Sequence, residues 1–403
     1  MRTVSAIKNI NSTLIVYGFN MVLQFIIRFV LLYYLSIEYL GLNGLFDNIL
    51  TVLSLTELGI GPAIIFSLYA PLANHDSETA KSIMRIFKKA YIYIGTLILF
   101  LGLCISPFVQ HLIKVPPNIA YLNIFFLLFV IDTGISYFYS YKKCLLIADQ
   151  KQYIANYYRG ITQLIGSLFQ IALVILTHSF WVYIILRICM TFCENFLIAR
   201  KANRLYSFLN EKNIRPLNKD IYQSIIRNIK ALILHKIGGV TVFGTSNIIL
   251  SKFVGLSAVA LYTNYYLIIN GIDKLSDQVF NALKASVGNL NESHDDAHKL
   301  VIFKRLEFMT AYLACFICSN LYLLLIPFIT IWLGNSYRFD ESIVLWMVIN
   351  FYLMFMRKGV LVFKDAMGLF WQNRYMSLIE ALINLGSSIV LVQYFDVWGV
   401  LLA

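Results

Sequence analysis

Twelve charged side chains stand inside segments that are otherwise apolar. Five are bases: Arg28, Arg159, Arg187, Lys236 and Lys274. Seven are acids: Asp47, Glu57, Asp132, Glu194, Asp273, Asp277 and Glu380. Even on the mildest insertion scale, such a group at the centre of a bilayer costs about 2.5–3.5 kcal/mol. Clustered bases suit phosphate, since arginine offers a planar fork and lysine a point charge. Clustered acids can neutralise those bases or carry H⁺ or Na⁺. The sequence "ELGIGPAIIF" sets Glu57 close to two glycines and Pro62. Proline removes a backbone hydrogen bond and glycine loosens the adjoining turn, so a kink is expected there. Either Glu57 changes the shape of that helix on protonation, or it caps freed backbone or pairs with a base.

These residues obey helical spacing, which gathers positions i, i+3, i+4 and i+7 on one face. The stripes are Asn20, Gln24 and Arg28; Asp47, Thr51, Ser54, Glu57 and Gly61; Asp132, Ser136, Tyr139 and Lys143. They continue as Arg159, Gln163, Ser167 and Gln170; Arg187, Thr191 and Glu194; Lys236, Gly239 and Asn247. Thr263, Asn270, Asp273, Lys274, Asp277, Asn281 and Lys284 form the most polar stripe, and Glu380, Asn384 and Ser387 the last. Pairs such as Arg187 with Glu194 would serve as interhelical glue. Stripes on eight helices exceed what glue requires and point to a hydrated central cavity.

The elements that carry them are membrane spans. The chain is 59% hydrophobic and 13% charged, against roughly 45–50% apolar and 25% charged in soluble domains. With about 20 apolar residues per span, eleven are expected: 12–35, 41–68, 90–113, 119–146, 153–177, 180–200, 230–253, 256–286, 303–332, 341–366 and 374–395. A twelfth begins at Val397 and stops at Ala403. A helix does not end inside a bilayer with bare carbonyls, so more sequence is expected to follow.

The net charge of +12 follows topology. With the N-terminus cytoplasmic, most Lys and Arg fall on inside segments, Arg357 and Lys358 among them. The charge then faces anionic lipid headgroups and not nucleic acid. The six cysteines lie in or beside apolar runs and read as small membrane residues, with no metal or redox role. "NHDSETAKSIMRIFKKAY" and "ESHDDAHKLVIFKRLEFM" recur at an offset of about 220 residues, each followed by an apolar helix, in the manner of a parallel repeat. The expected organisation is an N-terminal lobe 1–203, a cytoplasmic interfacial linker 204–229 with Ile221, Ile225 and Ile229 on one stripe, and a C-terminal lobe 230–403. The fold class is an all-α integral membrane protein, two six-helix lobes around a cavity.

The segments 39–91, 234–268 ("LHKIGGVTVFGTSNIILSKFVGLSAVALYTNYYLI"), 364–391 and "LLIADQKQYI" (145–154) resemble bacterial Wzx-like polysaccharide flippases. These belong to the multidrug/oligosaccharidyl-lipid/polysaccharide exporter superfamily. The resemblance implies a multi-pass protein of the bacterial plasma membrane whose cavity is lined by spans one, two, seven and eight. It implies an undecaprenyl-diphosphate-linked oligosaccharide as cargo, turned from the cytoplasmic to the outer face. The partners it implies are H⁺ or Na⁺ as coupling ion, and a polymerase and chain-length regulator of the same pathway. No cofactor is expected. On this reading Arg28, Arg159, Arg187, Lys236 and Lys274 hold the substrate. Asp47, Glu57, Pro62, Asp132, Asp273, Asp277 and Glu380 are the coupling or gating candidates. Relatives often carry Asp where this chain has Ser246 or Asn247, which puts a cation site there in doubt. Two rivals remain. A drug extruder of the same superfamily would want an acidic, aromatic cavity. A membrane polymerase or glycosyltransferase would want a large outside loop or a catalytic constellation, and the lone His235 and scattered acids form none.

Overall fold

The computed structural model describes residues 2–57, 60–115, 119–211, 217, 222–223, 225–226, 244–293, 296–367 and 376–403. All regular structure among them is helical. The helices are α1 (Arg2–Tyr34), α2 (Ile37–Leu53), α3 (Ile60–Ala73), α4 (Ser77–Ile105), α5 (Leu122–Ala148), α6 (Gln152–Thr177) and α7 (Phe180–Leu205). After the central connection come α8 (Ser246–Phe253), α9 (Leu256–Ser293), α10 (Asp296–Leu333), α11 (Glu341–Ala366), α12 (Met376–Phe395) and α13 (Val397–Leu402). Seven described helical segments are long and apolar enough to cross a membrane. Phe100, Leu103, Phe169, Phe308 and Ile331 are each about 60–90% exposed in this way, Ile331 at 87%. An exposed apolar belt of this kind is solvated by lipid, not water. The chain is a multi-pass membrane protein.

Two compact units divide at Ile248 and Ile249. In the first, α4 lies against α5 through glycines. A Cβ at Gly95 would meet the Phe138 ring, one at Gly102 would collide with Val130, and one at Gly134 would meet Leu99. Small residues let helix backbones approach where hydrophobicity gives no drive. Phe46 of α2 is fully buried against Phe126 and Phe129 of α5, with ring centroids 5.4 and 5.3 Å away. Asn156 of α6 donates to Ser12 and Thr13 of α1 at 3.0 and 2.9 Å. Asp76 caps α4, its carboxylate accepting from the Thr79 backbone N–H at 3.0 Å. That hydrogen bonding from Thr79 holds its carboxyl below the usual range. In the second unit, the core is built from α9, α10 and α11, with Tyr265, Ile329, Val344 and Phe355 almost wholly buried. The Tyr265 hydroxyl accepts from the Phe339 backbone N–H at 2.9 Å.

Three expectations are corrected. Residues 41–68 do not form one helix. The chain leaves α2 at Leu53, makes a 3-10 turn over Ser54–Glu57 and restarts as α3 at Ile60. Pro62 therefore lies in the first turn of a new helix, where its missing N–H costs little, rather than at a mid-helix kink. The span expected from residue 90 begins at Ser77, so Lys81, Arg85, Lys88 and Lys89 are helical. Arg357 and Lys358, counted with the inside charges, stand within α11 and are ion-paired there. Most of the linker 204–229 and the first part of the seventh span, with Ile221, Ile229, Lys236 and Gly239, lie outside the described residues. Ile225 is buried in the first unit's core.

Candidate functional site

The polar stripes of α5 and α7 face one another in the first unit. Both helices run in the same direction with α6 between them in sequence, so residues in step along each can pair. Arg187 of α7 donates from Nε to Asp132 at 2.9 Å and from Nη2 to Asp47 of α2 at 2.8 Å. Its Nη1 donates to Asn43 Oδ1 at 3.2 Å. The Tyr183 hydroxyl donates to the same Asn43 oxygen at 3.3 Å. The Phe129 ring lies 4.4 Å from the guanidinium carbon, an attractive cation–π geometry. Arg28 joins this group electrostatically, facing Tyr183 and Asp47. Two arginines and two aspartates are thus drawn together from α1, α2, α5 and α7.

The carboxylates here differ. The Asp47 side chain is 42% exposed and that of Asp132 only 8%. Asp132 Oδ1 is buried with no hydrogen-bond partner among the described residues. The expected pairing of Arg187 with Glu194 is not formed. Arg187 is taken by Asp132 and Asp47, because Glu194 stands seven residues further along α7. Glu194 instead faces Lys143 of α5 and is 3.5 Å from the Gln163 amide of α6. Arg159, exposed on α6, also faces Lys143.

A second carboxylate cluster sits at the α2–α3 break. Glu57 accepts from the Tyr91 hydroxyl of α4 at 3.1 Å and from the Tyr137 hydroxyl of α5 at 3.2 Å. Neither a capping role nor a base partner had pointed to these phenols. The break frees backbone groups and turns the carboxylate toward α4 and α5, which sequence spacing within one helix does not reveal.

In the second unit, Lys358 of α11 bridges Asp273, at 2.9 Å, and Asp277 of α9. Arg357 holds Glu380 of α12 through two hydrogen bonds of 2.6 and 3.2 Å. Lys274 is exposed on α9. Back in the first unit, Asn247 donates to Asn48 Oδ1 at 3.1 Å and to the Gly44 carbonyl at 3.3 Å. Among the described residues, no group of three or more His, Cys, Asp or Glu is placed to hold a metal ion.

No protein-family model matches the sequence, and no curated protein matches it. Solved structures do match. A multidrug resistance MATE family transporter of the MOP superfamily superposes with a TM-score of 0.66, covering 96% of this chain and 89% of its own at 14% identity. A Vibrio cholerae MATE transporter gives 0.65, covering 99% and 92% at 12% identity. The chain has a MATE-like transporter fold. A MOP superfamily transporter from Pyrococcus furiosus, whose reversed binding-pocket polarity suggests a different function, gives 0.52, covering 99% and 91% at 12% identity. At such identities the likeness extends to the fold alone.

Within this MATE-like fold, the residues that sequence spacing overlooked are Asn43, Tyr183, Phe129, Tyr91, Tyr137 and Lys358. Two of them carried a local signal. Asn43 stands four residues before Asp47, and Tyr183 four before Arg187, so each extends a stripe already drawn by one turn. Phe129 and Tyr91 belong to none of the stripes drawn from the sequence, and Tyr137, in "YFYSY" (137–141), suits an interfacial aromatic belt. Lys358 looked like a topology charge because the stripe it answers lies about eighty residues away.

Proposed function

We propose that this chain flips undecaprenyl-diphosphate-linked oligosaccharide from the cytoplasmic to the outer face of a bacterial plasma membrane, N-terminus inside. The observation that carries the reading is the meeting of Arg28 and Arg187 around Asp47 within apolar helices. A diphosphate faces an idealised penalty on the order of 20 kcal/mol per charge on entering hydrocarbon. Guanidinium groups offer its oxygens paired N–H donors. Asp47 and Asp132 hold Arg187 while no anion is present. The sequence likeness to Wzx-like flippases supports the same cargo, and anionic lipids and the polymerase and chain-length regulator of such a pathway complete its surroundings. Lys236 and Lys274 remain candidate contacts to the substrate, as does Arg159. H⁺ or Na⁺ supplies the coupling, through carboxylates among Asp47, Glu57, Asp132, Asp273, Asp277 and Glu380.

A second reading is supported by the fold, because two matched transporters are MATE proteins and one is a multidrug resistance transporter. On that reading the acids bind organic cations. The deciding experiment reconstitutes the full chain in liposomes with labelled undecaprenyl-diphosphate oligosaccharide and probes the sugar with an impermeant modifying enzyme. Gradient-dependent exposure that falls at least tenfold in Arg28→Ala is expected. Folded wild type that exposes no sugar, yet extrudes an organic cation, would overturn the flippase reading.

A further inference from the structure

We propose that Asp132 is a proton-binding residue whose occupancy is linked to anion binding at Arg187. The proposal rests on the flippase reading, since the anion is taken to be the diphosphate of the cargo. It begins from a competition for donors. Arg187 spends its Nε–H on Asp132, one Nη on Asp47 and the other on Asn43. A phosphate oxygen that takes the guanidinium must displace at least one carboxylate.

The two carboxylates face that displacement differently. Asp47 is 42% exposed, receives the Asn43 amide at 3.4 Å and has Arg28 within electrostatic reach. It keeps solvent and a second base. Asp132 is 94% buried, its residue being 6% exposed. Its Oδ2 has Arg187, and its Oδ1 has no hydrogen-bond partner among the described residues. A buried carboxylate stripped of its counter-charge is neutralised rather than left charged. The proton joins a carboxylate oxygen of Asp132, the guanidinium keeps its charge throughout, and the phosphate oxygen replaces the carboxylate on Nε–H.

The charged and titratable groups around Asp132 fit this assignment. From α7 come Arg187 and Tyr183, and from α2 Asp47 through Arg187. From α1, Arg28 faces Asp47 and Tyr183. Further along α5, Tyr137 is engaged with Glu57 at the α2–α3 turn, together with Tyr91 of α4. Beyond it, Lys143 faces Arg159 of α6 and Glu194 of α7. The 3-10 turn Ser106–Leu112 brings exposed His111 beside Phe108. None of these groups donates to Oδ1. A metal cation would need several oxygens beside a guanidinium, whereas a proton needs one.

Linkage is reciprocal: the anion raises proton occupancy by the factor by which the proton raises anion affinity. The test uses the full chain in nanodiscs in sodium-free buffer. The probe is a farnesyl-diphospho-N-acetylglucosamine, a diphosphate diester with no group titrating near neutrality. Calorimetry in buffers of different ionisation enthalpy counts protons taken up per ligand bound. Wild type is expected to take up close to one, with affinity rising up to about tenfold per unit fall in pH. Asp132→Asn is expected to bind at least as tightly at neutral pH, with no proton uptake and no pH dependence. Undiminished uptake in Asp132→Asn would overturn the proposal and leave the flippase reading standing. Absence of any binding by folded wild type would overturn the flippase reading and this linkage with it. On wild type alone, difference infrared spectroscopy must show a protonated carboxyl band appearing on binding. Its absence overturns the proposal whether or not the variant folds.

Discussion

The Glu57 cluster allows a double-mutant cycle whose size follows from the structure. Tyr91 is 2% exposed and Tyr137 9%, and each hydroxyl reaches a different oxygen of the same carboxylate. A hydrogen bond to a charged group contributes about 1.5–3 kcal/mol, and one between neutral groups about 0.5–1.5. Tyr91→Phe should therefore cost about 1.5–3 kcal/mol in the wild-type background. In Glu57→Gln, which keeps the shape and removes the charge, the same substitution should cost only about 0.5–1.5 kcal/mol. The difference, about 1–1.5 kcal/mol, is the coupling between phenol and charge. Tyr137→Phe should give a coupling of the same sign. The assay is reversible unfolding of the full chain in mixed detergent micelles, followed by tryptophan fluorescence. Equal costs in the two backgrounds, within about 0.3–0.5 kcal/mol, would refute the reasoning. They would mean that the two phenols do not hold the Glu57 carboxylate as the distances of 3.1 and 3.2 Å imply.

Other outcomes follow from single features. Gly102→Ala should destabilise the first unit, because the new methyl meets Val130, and Val130→Ala should restore most of the loss; an unchanged melting temperature in Gly102→Ala would contradict the close α4–α5 approach. Asp76→Ala should cost about 0.5–2 kcal/mol by uncapping α4. The Asp76 carboxyl is held below its ordinary value by Thr79, so this stability is present above about pH 4 and is lost as pH falls below it. Wild type and variant should then converge in acid-unfolding curves. The Tyr206 hydroxyl, raised by burial and by donating to Asp149 at 2.6 Å, stays protonated when the unfolded phenol ionises. Its contribution is present below about pH 10 and is lost as pH rises above it, so Tyr206→Phe should flatten the alkaline loss of stability seen by chemical denaturation.

Much of the architecture was legible from local pattern. Helix α11 occupies 341–366 as expected, and α5, α6, α9, α10 and α12 lie within a few residues of their expected bounds or extend beyond them at one end. Apolar length and turn residues are properties of a few neighbouring positions, so a linear reading reaches them. The stripes were legible for the same reason: period 3.6 puts Asp132 and Lys143, or Arg187 and Glu194, toward one side whatever they meet.

What they meet was settled only by tertiary structure. Arg187 was expected to use Glu194, which shares its stripe but stands nearly two turns away on the same helix, past the i+3 and i+4 positions where side chains meet. It reaches instead to Asp132 and Asp47, 55 and 140 residues distant in sequence, because α5 and α2 bring those acids to its level. Lys358 answers Asp273 and Asp277 across 81 residues or more for the same reason. The break at Ser54–Glu57 was visible as glycine and proline but not as a place where a carboxylate turns to two buried phenols. A stripe states which way a side chain points, since that depends on the local helix. It does not state what stands opposite, since that depends on which helices pack together and how far each has slid along its neighbour.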